Sequence, residues 1–301
     1  MLMIRCGRLA LVTHSSPTCT LVQITDLHVV ADGDELPGGV DTAAVLADAL
    51  RAVEDSAIRP AALVLTGDLT EDGRPAQYRR LRAIVEPAAA RLGAALVYVA
   101  GNHDDRAALR EHLLDEPPST EPLDHTVRVA IGNGADVRIA VLDSTVPGHG
   151  HGALDAEQLD RLRAELAEPA PGGTVLALHH PPLPSAAPLA ASIPLLRRED
   201  LAAAVAGTDV RLVLAGHTHV VSAGTLGGVP VWTGGPIATT LDPFAPGAAL
   251  RGLASPSVSR IDLFPDGLLT TSVPTGARRT SDVPAATMEP ALAAFRAAWG
   301  G

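Results

Sequence analysis

No lysine occurs anywhere in the 301 residues. That absence excludes Schiff-base chemistry and the phosphate-binding loop ending in Gly-Lys-Ser/Thr, because both need a lysine ammonium. Aromatic residues amount to 2%, too few rings for the stacking platforms of a sequence-tolerant single-strand binder. The two cysteines, Cys6 and Cys19, have no Cys-x-x-Cys spacing, so neither a disulfide framework nor a thiolate zinc site is expected. Positive charge is scarce as well. A formal net charge of −11 does not draw nucleic-acid polymers or anionic membranes. An anionic substrate would need cations supplied locally, most simply as metal ions. No apolar run reaches membrane-spanning length without a charge, Gly or Pro. The stretch "MLMIRCGRLALVTHSSPTC" lacks a continuous hydrophobic region and a small-x-small cleavage site. Residues 1–18 are therefore expected to be an extension rather than a signal peptide, and a soluble, cytoplasmic protein is expected.

What the chain does have is apolar mass. Hydrophobic residues make up 47% and charged ones 19%, enough for a sizeable core. Short apolar runs recur: "TLVQIT" (20–25), "AALVLT" (61–66), "ALVYVA" (95–100), "VRIAVLD" (137–143), "TVLALH" (174–179), "VRLVLA" (210–215), "VPVWTG" (229–234) and "SRIDLF" (259–264). They have strand length, and most are apolar on both faces, as strands buried between layers are. Helical spacing fills several of the gaps, at 41–56 behind an Asp-Thr cap, at 76–92 and at 155–168. After Gly207 consecutive strands take over. The expectation is an α/β domain over 19–275 with a more antiparallel final third, followed by a loosely held tail, 276–301, that ends in a short helix.

The polar residues sit in telling places. Five strands end and are followed at once by metal-ligand residue types: Asp26 and His28 in "QITDLH", Asp68 in "LVLTGD", Asn102 and His103 in "VYVAGNHD", His179 and His180 in "LALHHPP", and His217 and His219 in "LVLAGHTH". In open α/β sheets the carboxyl ends of strands line the ligand crevice. Each block alone has an ordinary explanation. Asp-x-His recurs by chance, Gly-Asp is usually a turn, Asn102 suits a left-handed turn position, and His179 could be a satisfied core histidine. These explanations are independent of one another, whereas metal binding accounts for all five together.

In their order, DxH … GD … GNHD … HHPP … GHTH, these blocks resemble the calcineurin-like metallophosphoesterases, and most closely their bacterial class III cyclic-nucleotide phosphodiesterase branch. The resemblance spans roughly residues 20–275 and takes in "GVDT" (39–42) and "VLDSTVPG" (141–148). It implies a four-layer α/β/β/α sandwich of two mixed sheets flanked by helices, and two divalent metal ions. One ion would be held by Asp26, His28, Asp68 and His219, the other by Asp68, Asn102, His179 and His217, with Asp68 bridging. The pattern H-x-P assigns the ligand to His179 and leaves His180 behind it. His103 carries over as the catalytic acid, and with Asn102 would also meet substrate. A homodimer is a further implication.

Such a set suits phosphodiester hydrolysis. Two divalent ions about 3.5–4 Å apart clamp phosphoryl oxygens and turn a water into hydroxide near neutral pH. Mixed imidazole and oxygen ligation fits Mn, Fe, Co or Zn better than Mg or Ca. The ions bring about +4, Asp26 and Asp68 about −2 and the hydroxide −1, leaving roughly +1 for a singly charged diester. The expected activity is hydrolysis of 3′,5′-cyclic nucleotides such as cAMP to 5′-monophosphates. The alternatives are a phosphoesterase for 2′,3′-cyclic nucleotides, glycerophosphodiesters or phosphomonoesters, and an inactive scaffold of the same fold. Against the scaffold stands the presence of every ligand and of the acid. Outside these blocks, Asp104 or Asp105 is expected to cap the helix through "AALREHLL". Arg106 is read as a helix-surface arginine, and His149 and His151 in "PGHGHGAL" as part of a solvated glycine loop. Phe244 is read as either a loop-packing ring or a purine-stacking one. The hairpin reading of "GNGAD" (132–136) is preferred to a dinucleotide fingerprint, which it lacks the third glycine to make.

Overall fold

The computed structural model describes residues 16–36, 38–132, 134–276, 280–281 and 283–299. Cys6 and most of the expected 1–18 extension lie outside the described residues. Along the chain run β1 (Cys19–Ile24), α1 (Thr42–Glu54), β2 (Ala62–Thr66), α2 (Pro75–Leu92), β3 (Ala95–Val99), α3 (Arg106–Leu113), β4 (His125–Gly132) and β5 (Ala135–Val141). Then come α4 (Ala156–Leu166), β6 (Thr174–Ala177), α5 (Pro188–Ala191), α6 (Arg198–Val205), β7 (Val210–Ala215), β8 (Ser222–Leu226) and β9 (Val229–Thr233). The last elements are β10 (Thr240–Leu241), β11 (Gly252–Leu253), β12 (Ser257–Phe264), β13 (Gly267–Pro274) and α7 (Ala285–Trp299).

Helix starts follow from local chemistry. Asp41 caps α1 by accepting from the Ala43 and Ala44 amides. Asp155 and Gln158 form a reciprocal capping box at α4. Pro75 opens α2, where a missing N–H costs nothing, and Gly93 closes it in the left-handed conformation.

Two sheets carry the fold. One has the order β13-β12-β1-β2-β3, the other β4-β5-β6-β7-β9-β8. Within the first, β1, β2 and β3 run parallel; within the second, β5, β6, β7 and β9 do. Antiparallel pairs close the margins: β1 with β12 and β12 with β13 in one sheet, β4 with β5 and β8 with β9 in the other. Three apolar layers result. Leu46, Leu50, Leu81 and Val85 of α1 and α2 pack on Val22, Ile24, Leu63 and Leu65 of the first sheet. Leu21, Val64, Val97 and Ile261 face Ile139, Val175, Leu212 and Leu214 between the sheets. Leu159, Leu162 and Leu166 of α4, with Leu201 and Val205 of α6, cover Leu176 and Val213 on the far side. This is the four-layer α/β/β/α sandwich. The alternation of strand residues between neighbouring layers explains why the strand runs are apolar on both faces.

Residues 17–276 form one compact unit, and α7 belongs to a separate one. This helix has 15 residues, longer than the short helix expected. Its alanines favour helix, and Pro290 lies inside it. After β7 no helix occurs until α7 among the described residues, in line with the shift to consecutive strands. The hairpin reading of "GNGAD" holds: β4, ending at Gly132, pairs antiparallel with β5, beginning at Ala135. Strands β4, β8 and β13 have no counterpart among the apolar runs. All three lie at sheet margins, where one face is solvated and their sequences are correspondingly polar.

Leu214 is fully buried between the sheets, so Leu214→Ala should lower unfolding stability by about 2–5 kcal/mol. Leu269→Ala on the exposed edge strand should change it by less than about 0.5 kcal/mol. Urea unfolding of the two variants checks the contrast, and equal losses would mean that the inter-sheet layer is not the core.

Candidate metal centre and active site

The carboxyl ends of β1, β2 and β3 in one sheet and of β6 and β7 in the other deliver the five sequence blocks to a common rim. The loops there are laced together by backbone bonds. Asp26 N–H donates to the Gly67 carbonyl at 3.1 Å, His28 N–H to Asp68 at 2.9 Å, and Gly216 N–H to His179 at 3.0 Å. Asp26 accepts from the His217 amide at 2.8 Å, tying the first sheet to the second. Asp68 likewise accepts from the His103 amide at 3.0 Å.

Glycine precedes three of these blocks for a steric reason. A β-carbon on Gly67 would overlap the His179 ring, one on Gly101 the Asp68 backbone, and one on Gly216 the Thr25 side chain. The side chains that follow pay in strain. Among the described residues seven non-glycines have positive φ, and five of them are Asp26 (48°), His28 (45°), Asp68 (46°), His217 (70°) and His219 (54°). Such backbone is sparsely populated for residues with a β-carbon and persists where surrounding contacts over-determine it.

The imidazole protons point outward. His28 Nδ1 lies 2.7 Å from Glu71 Oε2, His219 Nδ1 2.7 Å from the Thr239 carbonyl and His179 Nδ1 2.9 Å from the Thr66 carbonyl. These oxygens only accept, so each Nδ1 carries the proton and each Nε2 is left with a lone pair. The Nε2 atoms of His28 and His219 then face each other at 3.2 Å, with Asp68 Oδ2 3.4 Å from His28 and Asp26 Oδ1 3.6 Å from His219. This cluster consists of acceptors, and only a cation or added protons can satisfy it. A second cluster adjoins it. His179 Nε2 lies 3.3 Å from Asp68 Oδ1 and 3.2 Å from Asn102 Oδ1. His217 donates through Nε2 to the Ile193 carbonyl at 2.9 Å, which leaves its Nδ1 for a ligand. The two oxygens of Asp68 thus face different histidines. These donor sets fit divalent transition ions.

His180 is geometrically near His179 and His217, but both its nitrogens are engaged: Nδ1 with the Ser144 hydroxyl at 2.9 Å and Nε2 with the Gly150 carbonyl at 3.1 Å. It has no lone pair left for an ion. Burial, together with any charge on His179 and His217, keeps it neutral, well below the ordinary histidine value. His103 is exposed and donates through Nδ1 to the Glu71 carbonyl at 2.6 Å, so its Nε2 is free. A cavity of about 210 Å³ opens above these groups, lined by His28, Asp68, Asn102, His103, His217 and His219 among others.

The remaining candidates settle differently. Asp105 caps α3 by accepting from the Ala108 amide. Asp104 accepts instead from the Leu69, Thr70 and Gly101 amides and the Tyr78 hydroxyl, binding the β2 and β3 loops together. Arg106 is no surface residue: it is paired with buried Asp143 at 2.8 Å. Phe244 is 90% exposed and does not pack on its loop. Glu71 was not singled out in the sequence, although it orients both His28 and His103. An acidic residue three positions after a Gly-Asp block carries no signal until its histidine partner is known.

Charge follows geometry. Burial opposes a proton on His179, but Asp68 outweighs it and pushes the imidazole up to about 9. Burial works against the Asp68 carboxylate too, yet its histidine neighbours hold it well below the usual range. Burial and charge on His179 push His217 down to about 4. A divalent ion held by His179 Nε2 would have to displace that proton. Its affinity should therefore rise with pH up to about 9 and level off above, with proton release on binding at pH 7. Calorimetry in two buffers of different ionisation heat reads that proton, and binding without release would remove His179 from the ligands.

The Calcineurin-like phosphoesterase family model matches residues 19–221. The chain is 44% identical to a cAMP/cGMP dual specificity phosphodiesterase of Mycobacterium tuberculosis, over 91% of this chain and 85% of that protein. It is 39% identical to a probable cyclic nucleotide phosphodiesterase of Rhodococcus erythropolis, over 90% and 88%. In fold it is similar to a dimetal phosphatase from Danio rerio, with a TM-score of 0.63, 16% identity, and coverage of 87% of this chain and 98% of that one. With a match across all five site blocks and relatives aligned along nearly its whole length, the chain belongs to the calcineurin-like phosphoesterase family.

Proposed function

We propose that the chain hydrolyses 3′,5′-cyclic nucleotides such as cAMP to 5′-monophosphates at a two-metal centre. The carrying observation is Asp68, with one carboxylate oxygen toward His28 and the other toward His179. Asp26, His28, Asp68 and His219 would hold one ion, and Asp68, Asn102, His179 and His217 the other. Bound ions would supply positive charge for the phosphoryl oxygens and acidify an attacking water. No arginine lines the cavity among the described residues, so the ions would supply the positive charge that meets the phosphate, beside Asn102 and His103, a balance suited to a diester monoanion. The names of the two relatives support the cyclic-nucleotide reading. Domain limits of 19–275, a cytoplasmic place and a homodimer belong to the same proposal.

His103 acts on the leaving group. The Glu71 carbonyl fixes its Nδ1–H, so the protonated ring presents Nε2–H to the departing O3′ as the P–O3′ bond breaks. His180, held by Ser144 and Gly150, supports the ligand histidines from behind. Glu71 fixes the His28 tautomer.

His103→Ala should retain metal by elemental analysis and lose about 10²–10⁴-fold in kcat on cAMP, with a smaller loss on nitrophenyl esters, whose leaving group needs no proton. Unchanged turnover of cAMP would remove His103 from its role. A panel of cAMP, 2′,3′-cyclic AMP, a glycerophosphodiester and a phosphomonoester decides the substrate, and the cyclic-nucleotide reading falls if kcat/KM for cAMP lies far below every other diester.

A further inference from the structure

Two cavities meet over the metal-ligand rim. The one above the ligands, about 210 Å³, is walled by Leu189, Ala190, Ile193, Leu241 and Leu250. A second, about 270 Å³, shares Leu189, Leu241 and Leu250 and runs on past Ala187, Ala248 and Ala249 to Asp242 and Arg251. Together they make one groove, with ligand side chains at one end and an apolar saddle in the middle. Its combined size falls in the range of roughly 300–1,000 Å³ typical of small-ligand sites. Leu189 is 53% exposed and Leu250 66%. Large apolar side chains left uncovered beside a charged centre mark a surface that something else covers.

The groove is tied to the centre. Leu241 N–H donates to the His219 carbonyl at 3.0 Å, and His219 Nδ1 donates to Thr239 two residues earlier. The same segment therefore orients a ligand histidine and carries one wall. The loop between β10 and β11 is closed at its base by the ion pair of Arg251 with Asp242 at 2.8 Å and by Asp242 N–H donating to the Arg251 carbonyl at 2.9 Å. The other wall comes from α5 and Ile193, the residue whose carbonyl receives the His217 proton. Both walls are thus positioned by ligand histidines, at fixed distance from where a phosphate would sit.

We infer that this saddle seats the organic ester group of the substrate, a nucleobase or another flat or apolar moiety, by surface contact. The inference rests on the phosphodiesterase reading of the adjoining centre. The side chains of Leu189, Ala190, Ile193, Leu241 and Leu250 offer no donor or acceptor to a base edge. An apolar wall discriminates far less than a site built on hydrogen bonds, by tens rather than many thousands-fold. The saddle therefore selects for the presence and size of an apolar group and by itself reads the identity of a base weakly.

The test compares two synthetic diesters with the same nitrophenolate leaving group, bis(p-nitrophenyl) phosphate and methyl p-nitrophenyl phosphate, on the metal-loaded protein. For Leu189→Ser/Leu250→Ser the aryl-to-methyl ratio of kcat/KM should fall about tenfold relative to the parent, through KM for the aryl ester; Leu250→Met should keep the ratio. An unchanged ratio overturns the inference, as does an equal loss on both substrates. Conversion of a dimer to a monomer by the double substitution, read by light scattering, would make the groove an interface between copies and also overturn it. If the ratio falls as expected but cAMP is not turned over, the groove stands and the cyclic-nucleotide reading fails. If cAMP is turned over and the ratio does not move, the outcome is the reverse.

Discussion

Lone pairs crowd around the Asp68 carboxylate, and the structure of the rim is arranged to make them do so. Every imidazole in the two clusters gives its proton away from the centre: to Glu71, Thr239 and Thr66 from Nδ1, to Ile193 from Nε2. What faces inward is oxygen and, once His179 gives up its second proton, nitrogen lone pairs, at separations of 3.2–3.6 Å. Without cations such a cluster is repulsive, which is why Asp68 pulls His179 toward protonation. With cations the same arrangement is prepaid: orientation, tautomer and desolvation are already set. The two sheets serve this end, because neither alone supplies a complete ligand set.

The strain in the rim has the same origin. Asp26, His28, Asp68, His217 and His219 hold positive φ, each at a cost of order 1–3 kcal/mol for a residue with a β-carbon. The cost is tolerated because the contacts around these loops hold them in place. Gly67, Gly101 and Gly216 let one loop sit against the next. Asp104 then fastens two of them with bonds to three amides and two hydroxyls. Stability is spent at the rim and recovered in the three apolar layers below it, where strand residues are almost wholly enclosed.

The legibility of the fold followed burial. The eight apolar runs are central or well-covered strands, and each became one. The margins β4, β8 and β13 went unread because a strand with one wet face shows fewer apolar residues than the search required. Helix α6, "REDLAAAV", has too short an apolar stripe to declare itself. In the site, the residues proposed to hold the ions were readable from type and position after a strand. Residues acting through another were not, apart from His180, which the family pattern placed behind His179. Glu71 and Asp104 are ordinary carboxylates in sequence, and Arg106 reads as a surface charge until Asp143 is found beside it.

The order of the five blocks and the residue types in them settle which atoms are available as ligands, because a side chain's chemistry belongs to the residue wherever it lies. Which of two adjacent histidines is free to bind is a different kind of fact. His179 and His180 are identical in covalent terms, and only Ser144 and Gly150, brought in from 36 and 30 residues away, use up both nitrogens of one and leave the other open. The apolar saddle is likewise a product of folding alone: Leu189 and Leu250 are over sixty residues apart in the chain and line one cavity from opposite walls because the segments after β6 and β9 leave the second sheet at the same edge.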